Sequence, residues 1–332
     1  MNLTEKIFCI KPQYLDDFKC DGAKCNAKCC RSEWAICVDA TTYEKYSSLP
    51  QAQEILRHLR GDKSGEKYFI EHEGEACPFL GADNLCRIQK THGEDYLSQV
   101  CASYPRIVTR FENFFELALS LTCPVAAKII LLRTEPLRFE VAEASEKILR
   151  FGVNNIVLGI PHDFAPLIVD VQFAMVSILQ ERRLTLDQRL IVLEFFLERI
   201  EELFQNGELD GAAIKDLSSV YLSENFLSED VPLMLRSLQF MPDEKILSDE
   251  FATVAENFLV NEIFLNVWPF RVDAGIVQNF ELLRTAYRVF AQKICDVQSV
   301  DKLLNVAGEL SRLLDHDEDY LTELAATLKT TN

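Results

Sequence analysis

The chain has 332 residues, 52 of them acidic against 34 basic for a net charge of −18, and 48% are hydrophobic. That length and apolar share support one large or two modest domains with a real core. The acidic balance excludes a broad basic face for nucleic acid, because phosphate contacts need clustered Lys and Arg.

The opening, residues 1–19 from MNLTEKIFCIKPQY onward, reads as a short extended lead-in, since Pro12 disfavours helix just before it. It contains no apolar run flanked by a cleavage site, and no stretch of the chain approaches the roughly 18 apolar residues of a membrane span. Reduced thiols in a cytoplasmic setting are therefore expected. The next segment, FKCDGAKCNAKCCRSEW, is polar and rich in small residues, as a loop wrapping a metal would be. WAICVD alternates like a short strand, and Asp39 is placed to cap a helix over TTYEKYSSL. QAQEILRHLR predicts a second short helix ending near Gly61. KYFIEHEGEACPFLGADNLCRI predicts a small β meander, with turns at EGEA and GADN, that positions Cys77 and Cys86. HGEDYLSQVCASY reads as one helix with Leu97 and Cys101 on the same face, ended by Pro105. FENFFELALSLTC predicts a strand. Pro124 suits the first position of a helix over PVAAKIILLR, leaving Cys123 at its N-terminus, where backbone N–H dipoles favour a thiolate.

From about residue 140 the apolar period becomes helical. Leu186, Leu190, Leu193, Leu197, Ile200 and Phe204 make one amphipathic stripe. Phe251, Val254, Phe258 and Leu259 begin a second helix. Ile276, Phe280, Leu283, Tyr287, Phe290 and Ile294 form a third, and VDKLLNVAGELSRLLD a fourth. The expected fold class is α+β, mostly α: a cysteine-rich part over residues 1–135 with a small β meander, packed on a helical part over 136–332. No GxG occurs among the twelve glycines, which disfavours a Rossmann methyltransferase site.

Eight of the eleven cysteines fall in three blocks: Cys20, Cys25, Cys29 and Cys30; then Cys77, Cys86 and Cys101; then Cys123. Eight soft sulfur ligands satisfy two tetrahedral zinc ions, two four-iron clusters, or one cluster with thiols left over. Cys9, Cys37 and Cys295 are scattered and read as small buried hydrophobes. The radical S-adenosylmethionine pattern CxxxCxxC shares only its first spacing with Cys25-x3-Cys29-Cys30.

The stretch PQYLDDFKCDGAKCNAKCCRSEWAICVDATTYEKY resembles the opening of the flagellin lysine N-methylases, within a wider group carrying a CxxxCC-type zinc- or iron-chelating cysteine cluster. CPFLGADNLCRIQKTHGEDYLSQVCASYPR and LSLTCPVAAKIIL resemble that family's second and third blocks, and ENFLVNEIFLNVWPF its C-terminal half. The resemblance runs from Pro12 to about Tyr320 and is weaker between about 135 and 245. It implies a protein-lysine N-methyltransferase acting on flagellin, using S-adenosylmethionine and an iron–sulfur cluster of the 4Fe-4S kind, with zinc as the alternative metal. The contrasting expectation is a non-enzymatic, metal-stapled interaction module. An acidic surface suits a lysine-rich partner, though it serves solubility equally.

Two further residues are candidate cofactor contacts. Arg106, in YPR, has the geometry to hold a carboxylate or cofactor anion. Asn261 lies beside Glu256 and Asn257 on an apolar helix, where a buried amide needs partners. Tyr104 is expected to pack on the cysteine core with its hydroxyl tied down. His316 is expected at a charged helix terminus, and Trp34 and Trp268 in the core. No residue stands out as catalytic base.

Overall fold

Two apolar residues draw the start of the chain into a sheet instead of leaving it as a lead-in. Phe8–Pro12 (β1) is a strand in which Cys9 is fully buried and Ile10 nearly so. The computed structural model describes residues 8–22, 24–31, 35–62, 67–72, 74, 76–111, 114–144, 153–156, 164–237, 247, 249–271, 274–316 and 320. Trp34, residues 1–7, Glu73, Glu75 and residues 317–319 lie outside these, as does the side chain of His316. The architecture is α+β and mostly helical.

After the short helix Tyr14–Asp17 (α1) comes a small unit. It comprises Ile36–Val38 (β2), Ala40–Ser47 (α2), Ala52–Leu56 (α3), Leu59–Gly61 (β3), Tyr68–Ile70 (β4) and Arg87–His92 (α4). Its three strands pair antiparallel in the order β2-β4-β3. Asp39 caps α2 as expected. The helix over QAQEILRHLR stops at Leu56, however, because Leu59 pairs with Ile70 and gives β4 its second neighbour. Only the first half of the expected meander is strand. Leu80 and Cys86 meet in a single bridge, and Arg87 begins a helix.

HGEDYLSQVCASY is not one helix. Gly93 takes φ +93°, Leu97 is extended, and Ser98 starts Gln99–Ser103 (α5) by accepting the N–H of Cys101. Leu97 and Cys101 thus do not share a helical face. Arg106–Arg110 (β5) and Phe114–Leu119 (β6) follow, then Pro124–Leu131 (α6) with Pro124 in its first turn. Two strands that the apolar period did not reveal come next, Phe139–Glu143 (β7) and Asn155–Ile156 (β8). The larger sheet runs β7-β1-β6-β5-β8, with β1–β6 and β5–β8 parallel. It therefore takes strands from both sides of residue 135.

The helices that follow are Ala165–Leu179 (α7), Leu186–Gln205 (α8), Gly211–Tyr221 (α9), Val231–Ser237 (α10), Asp249–Leu265 (α11), Ile276–Ile294 (α12) and Val300–His316 (α13). The expected stripe of α8 is buried from Leu186 to Ile200, whereas Phe204 is 48% exposed. Every residue of α11 from Val254 to Leu265 is buried, so this helix is the axis of the molecule. It packs on α6, β6, α7 and α12. One apolar cluster, which includes the fully buried Trp268, runs from Cys9 through β6 to Leu314, while the small unit has its own: Ile36, Val38, Tyr46, Ile55, Ile70, Phe79 and Ile88. Among the described residues no helix is long and apolar enough to cross a membrane.

Candidate metal centre

The first cysteine block is a tight coil. Asn26 and Ala27 have φ of +57° and +48°, and Lys28–Cys30 is a single 3-10 turn. Gly22, at φ +50°, lies where an added Cβ would sit 2.8 Å from Leu85, so glycine allows this coil to approach the loop ahead of Cys86. Cys77 N–H donates to Cys30 O at 2.7 Å and Arg31 donates to Asn84 Oδ1 at 2.9 Å, which joins the first and second blocks. Cys123 caps α6, and Cys101 rides on α5.

All eleven cysteines are free thiols. The Sγ atoms of Cys29 and Cys30 are 4.0 Å apart. The Cys30 thiol donates to Cys29 and pulls it down to about 7, against its burial. Cys30 is pushed up, first by that bond and then by burial and the charges of Cys29, Cys77 and Cys86. Burial pushes Cys77 up to about 11, helped by Cys86 and Cys29 and opposed by the Phe79 N–H. Cys101, exposed as a residue, has its sulfur crowded enough that desolvation, then Cys77, Cys86 and Cys29, raise it to about 12 against Ser98. Cys123 is buried and raised to about 12; the N–H groups of Ala126 and Val125 oppose this, while Cys25 and Cys29 add to it. Desolvation thus outweighs the helix N-terminus at Cys123. Cys25 is raised by burial, with Asp21 and Cys29 contributing and the Ala27 and Lys28 N–H groups opposing.

These mutual fields divide the thiols into two neighbourhoods that meet at Cys29–Cys30. One holds Cys77, Cys86 and Cys101, and the phenol of Tyr46 feels all three. The other holds Cys25 and Cys123, felt together with Cys29 by Tyr104. Arg106 connects Cys20 to the second: burial lowers its basicity, and Glu94, Cys20 and Cys123 counter that. Its guanidinium lies 4.9 Å over the Phe18 ring. A cation beside a set of thiolates offsets their repulsion. Among the described residues no three Cys, His, Asp or Glu side chains already close on one point. The donor set nevertheless fits a thiolate-held metal in kind and number, since four soft ligands per neighbourhood is a complete tetrahedral shell.

Of the other expected contacts, Asn261 is fully buried and spent on the core: its Oδ1 accepts from Tyr14 at 2.5 Å and its Nδ2 donates to Leu119 O at 3.2 Å. Glu256 takes two N–H groups of Arg182 and one of Arg189. Asn257 donates to the carbonyls of Leu131 and Arg133. Cys9 is buried and Cys37 half-buried, but Cys295 is exposed, its thiol donating to Gln292 O. The Tyr104 hydroxyl is held by Thr122, 3.1 Å away.

Sequence reasoning missed a polar row behind the cysteines. Ser120, Thr122, Glu262, Asn266, Arg271 and Asp315 are linked there, as are Glu116 and Gln172 nearby. The signal was present as polar residues inside apolar runs, Glu116 in FFELAL and Ser120 in LALSLTC.

A family model described as the FliB lysine N-methylase C-terminal domain matches residues 172–247, which falls largely within the stretch where the sequence resemblance is weaker. Over 135 residues, 38% of this chain, the protein is 34% identical to the flagellar biosynthetic protein FliU of Salmonella muenchen, covering 79% of that protein. The lysine-N-methylases of Salmonella choleraesuis and Salmonella typhimurium are 34% identical over 135 residues, and the match spans 33% of their own length. No solved structure matches. With a relative of that identity covered along 79% of its length and a family model seated on its helices, the chain belongs to the flagellin lysine N-methylase family.

Proposed function

We propose that this chain is a lysine N-methyltransferase that acts on flagellin in the cytoplasm, with S-adenosylmethionine as donor and a thiolate-held iron–sulfur cluster as resident cofactor. The observation that carries the reading is the meeting of two thiol neighbourhoods at Cys29–Cys30, in a chain whose relatives are named lysine-N-methylase. Cys30, Cys77, Cys86 and Cys101 would form one ligand set, and Cys20, Cys25, Cys29 and Cys123 the other. A bound cluster would supply iron able to hold the methyl donor or exchange an electron, whereas zinc would supply structure alone.

The chain's own residues do the rest. A lysine ammonium, with an ordinary pKa near 10.4, must lose its proton before its nitrogen can attack a methyl group. An acidic protein attracts such a cation and a desolvated site strips it. Arg106, whose charge is felt with those of Cys20 and Cys123, would bind the carboxylate of the donor.

Anaerobic purification is expected to give a brown protein with iron and acid-labile sulfide. That protein should move a labelled methyl group from S-adenosylmethionine to flagellin. Stoichiometric zinc without iron would replace the cluster by a structural site, and folded, metal-loaded protein that leaves flagellin unmethylated would remove the enzyme.

A further inference from the structure

Behind the second thiol neighbourhood the polar row forms a continuous line. The Tyr104 hydroxyl lies 3.1 Å from Thr122 Oγ1, which lies 2.7 Å from Ser120 Oγ, which lies 3.3 Å from Asp315 Oδ2. Ser120 and Thr122 are buried, so solvent does not compete for these contacts. The line has a sense. A carboxylate only accepts, so Ser120 gives its hydrogen to Asp315, which leaves its oxygen to accept from Thr122, and Thr122 in turn from Tyr104.

At the far end Asp315 does not act alone. Asn266 Nδ2 donates to Asp315 Oδ1 at 2.9 Å and to Glu262 Oε2 at 2.7 Å, clamping two carboxyl groups on one amide. Ser311 donates to Asp315 Oδ2 at 2.8 Å. Glu262 is fully buried, and its Oε1 makes no hydrogen bond. Burial, then the charge of Asp315, pushes Glu262 up to about 8, against Asn266 and Arg271. The half-buried Arg271 guanidinium feels both carboxyl groups, and the Tyr14 phenol feels Glu262. Two carboxyl groups with one cation and one amide between them share one proton at rest, so a proton arriving through Ser120 is a second, extra one. At the near end, Tyr104 is half-buried, and the charges of Cys123, Cys29 and Cys25 reach it.

We propose that Tyr104, Thr122, Ser120 and Asp315 are a proton path that drains the cysteine centre into the Glu262–Asp315 pair. Resting on the methyltransferase reading, the path takes the proton that the substrate lysine must lose. An N–H bond of the ammonium breaks and its proton passes to the Tyr104 oxygen. The hydrogen of Tyr104 moves to Thr122, that of Thr122 to Ser120, and that of Ser120 to Asp315. The freed lone pair forms the N–C bond as the methyl–sulfur bond of S-adenosylmethionine breaks and sulfur keeps the electron pair. The extra proton on the carboxyl pair returns to solvent before the next turnover.

Three variants, Tyr104→Phe, Ser120→Ala and Asp315→Asn, each interrupt the line at a different link. In single-turnover transfer to flagellin, each is expected to lose about a hundredfold in rate near neutral pH. Each should regain most of that loss as the pH approaches the lysine pKa, where solution removes the proton. A loss of equal size at every pH, or a profile unchanged from the parent, overturns the path. Infrared spectroscopy gives a reading independent of turnover: the protonated-carboxyl band that Glu262→Gln removes, as distinct from that of Glu116, should exchange into deuterium at least about tenfold more slowly in Tyr104→Phe and Ser120→Ala than in the parent. No such band in the parent, or equal exchange rates, also overturns it. Parent protein that holds its metal but transfers no methyl group sinks the methyltransferase reading alone, and the exchange rates then decide the path.

Discussion

The two largest apolar clusters among the described residues are held by different means. Around α11 the core is continuous from the first strand to the last long helix, and Phe258 stacks on Phe290 with centroids 4.3 Å apart. The small unit gathers a handful of side chains about three-residue strands and helices of a turn or two. A core of that size rarely stabilises a fold by itself, and natural miniature folds add a staple. Cys77 and Cys86 pack against this small cluster, and the Cys77 N–H ties it to Cys30. The larger part therefore folds by burial, and on the proposed reading the smaller part depends on metal held by its thiols.

The largest expected effect breaks that contrast. Metal binding at structural sites contributes about 10 kcal/mol or more, so stripping the metal should unfold the small unit while leaving the helices in place. Hydrogen exchange is the measurement: amides of β2, β4 and α2 lose protection, and those of α8, α11 and α12 keep it. Cys29→Ser and Cys101→Ser should reproduce the pattern, since a hydroxyl replaces a soft thiolate poorly. Cys9→Ser, Cys37→Ser and Cys295→Ser should retain full metal. Of these only the buried Cys9 should show a clear stability cost, about 1–2 kcal/mol. Equal metal loss from Cys295→Ser and Cys29→Ser would redraw the ligand set.

The reverse perturbation belongs to the larger part. Glu256 is 1% exposed and sits between Arg182 and Arg189, which anchor the turn before α8 to the central helix. Glu256→Ala leaves Arg189 buried and unpaired, a loss of about 3–5 kcal/mol. Urea denaturation should show that loss with metal content unchanged. If metal falls in parallel, the two parts are one cooperative unit and the contrast dissolves.

The sequence carried the long helices, because a stripe such as Leu186 to Ile200 repeats often enough to fix its period. It carried α6 and α2 through single residues, Pro124 and Asp39. It carried β5, β7 and β8 poorly: a strand of two to five residues offers too few alternations, and these are defined by partners distant in the chain. The cysteine blocks were legible as a set, since spacing alone marks them. Their division into two neighbourhoods was not, because it depends on how Gly22 lets one loop lie against another. The hydroxyl line to Asp315 was equally hidden, as it joins residues 195 positions apart.

A smaller effect separates the parts by pH. Glu116 lies in the middle of the larger sheet, 1% exposed, with neither carboxyl oxygen hydrogen-bonded at normal length. Burial pushes it up to about 8, and Gln172 opposes that only in part. In the unfolded chain the group titrates near 4.3. The folded state therefore holds more protons between those values, and stability is greatest below about 4.3 and declines as the pH rises through 8. Glu116→Gln should flatten this decline and leave the variant more stable than the parent at about pH 9, by roughly 2 kcal/mol. Glu262, raised in the same way, should preserve a residual slope. Melting temperatures at pH 5 and 9 decide it. A parent whose stability rises over that range would show Glu116 to be ionised in the core.

The smallest effect tests the seam between the two regions. Asp39 accepts the Thr42 N–H at 2.9 Å and the Thr42 hydroxyl at 2.8 Å, and its Oδ2 also takes the Gln99 N–H at 3.1 Å. One carboxylate thus caps α2 in the small unit and fixes the start of α5, two residues ahead of Cys101. Burial works against its charge, yet those three donors prevail and hold it below the ordinary carboxylate range. Its contribution is therefore present above about pH 4, the unfolded value, and is lost as the pH falls through its folded pKa. Asp39→Ala should cost about 1 kcal/mol as a lost cap. It should also loosen Cys101, so that a metal chelator removes metal several-fold faster than from the parent. Asp39→Asn keeps one acceptor oxygen and can serve α2 or α5 but not both, which predicts an intermediate rate. If both variants release metal at the parent's rate while their melting temperatures fall, Asp39 stabilises α2 alone, and Cys101 is positioned by Ser98 without help from the small unit.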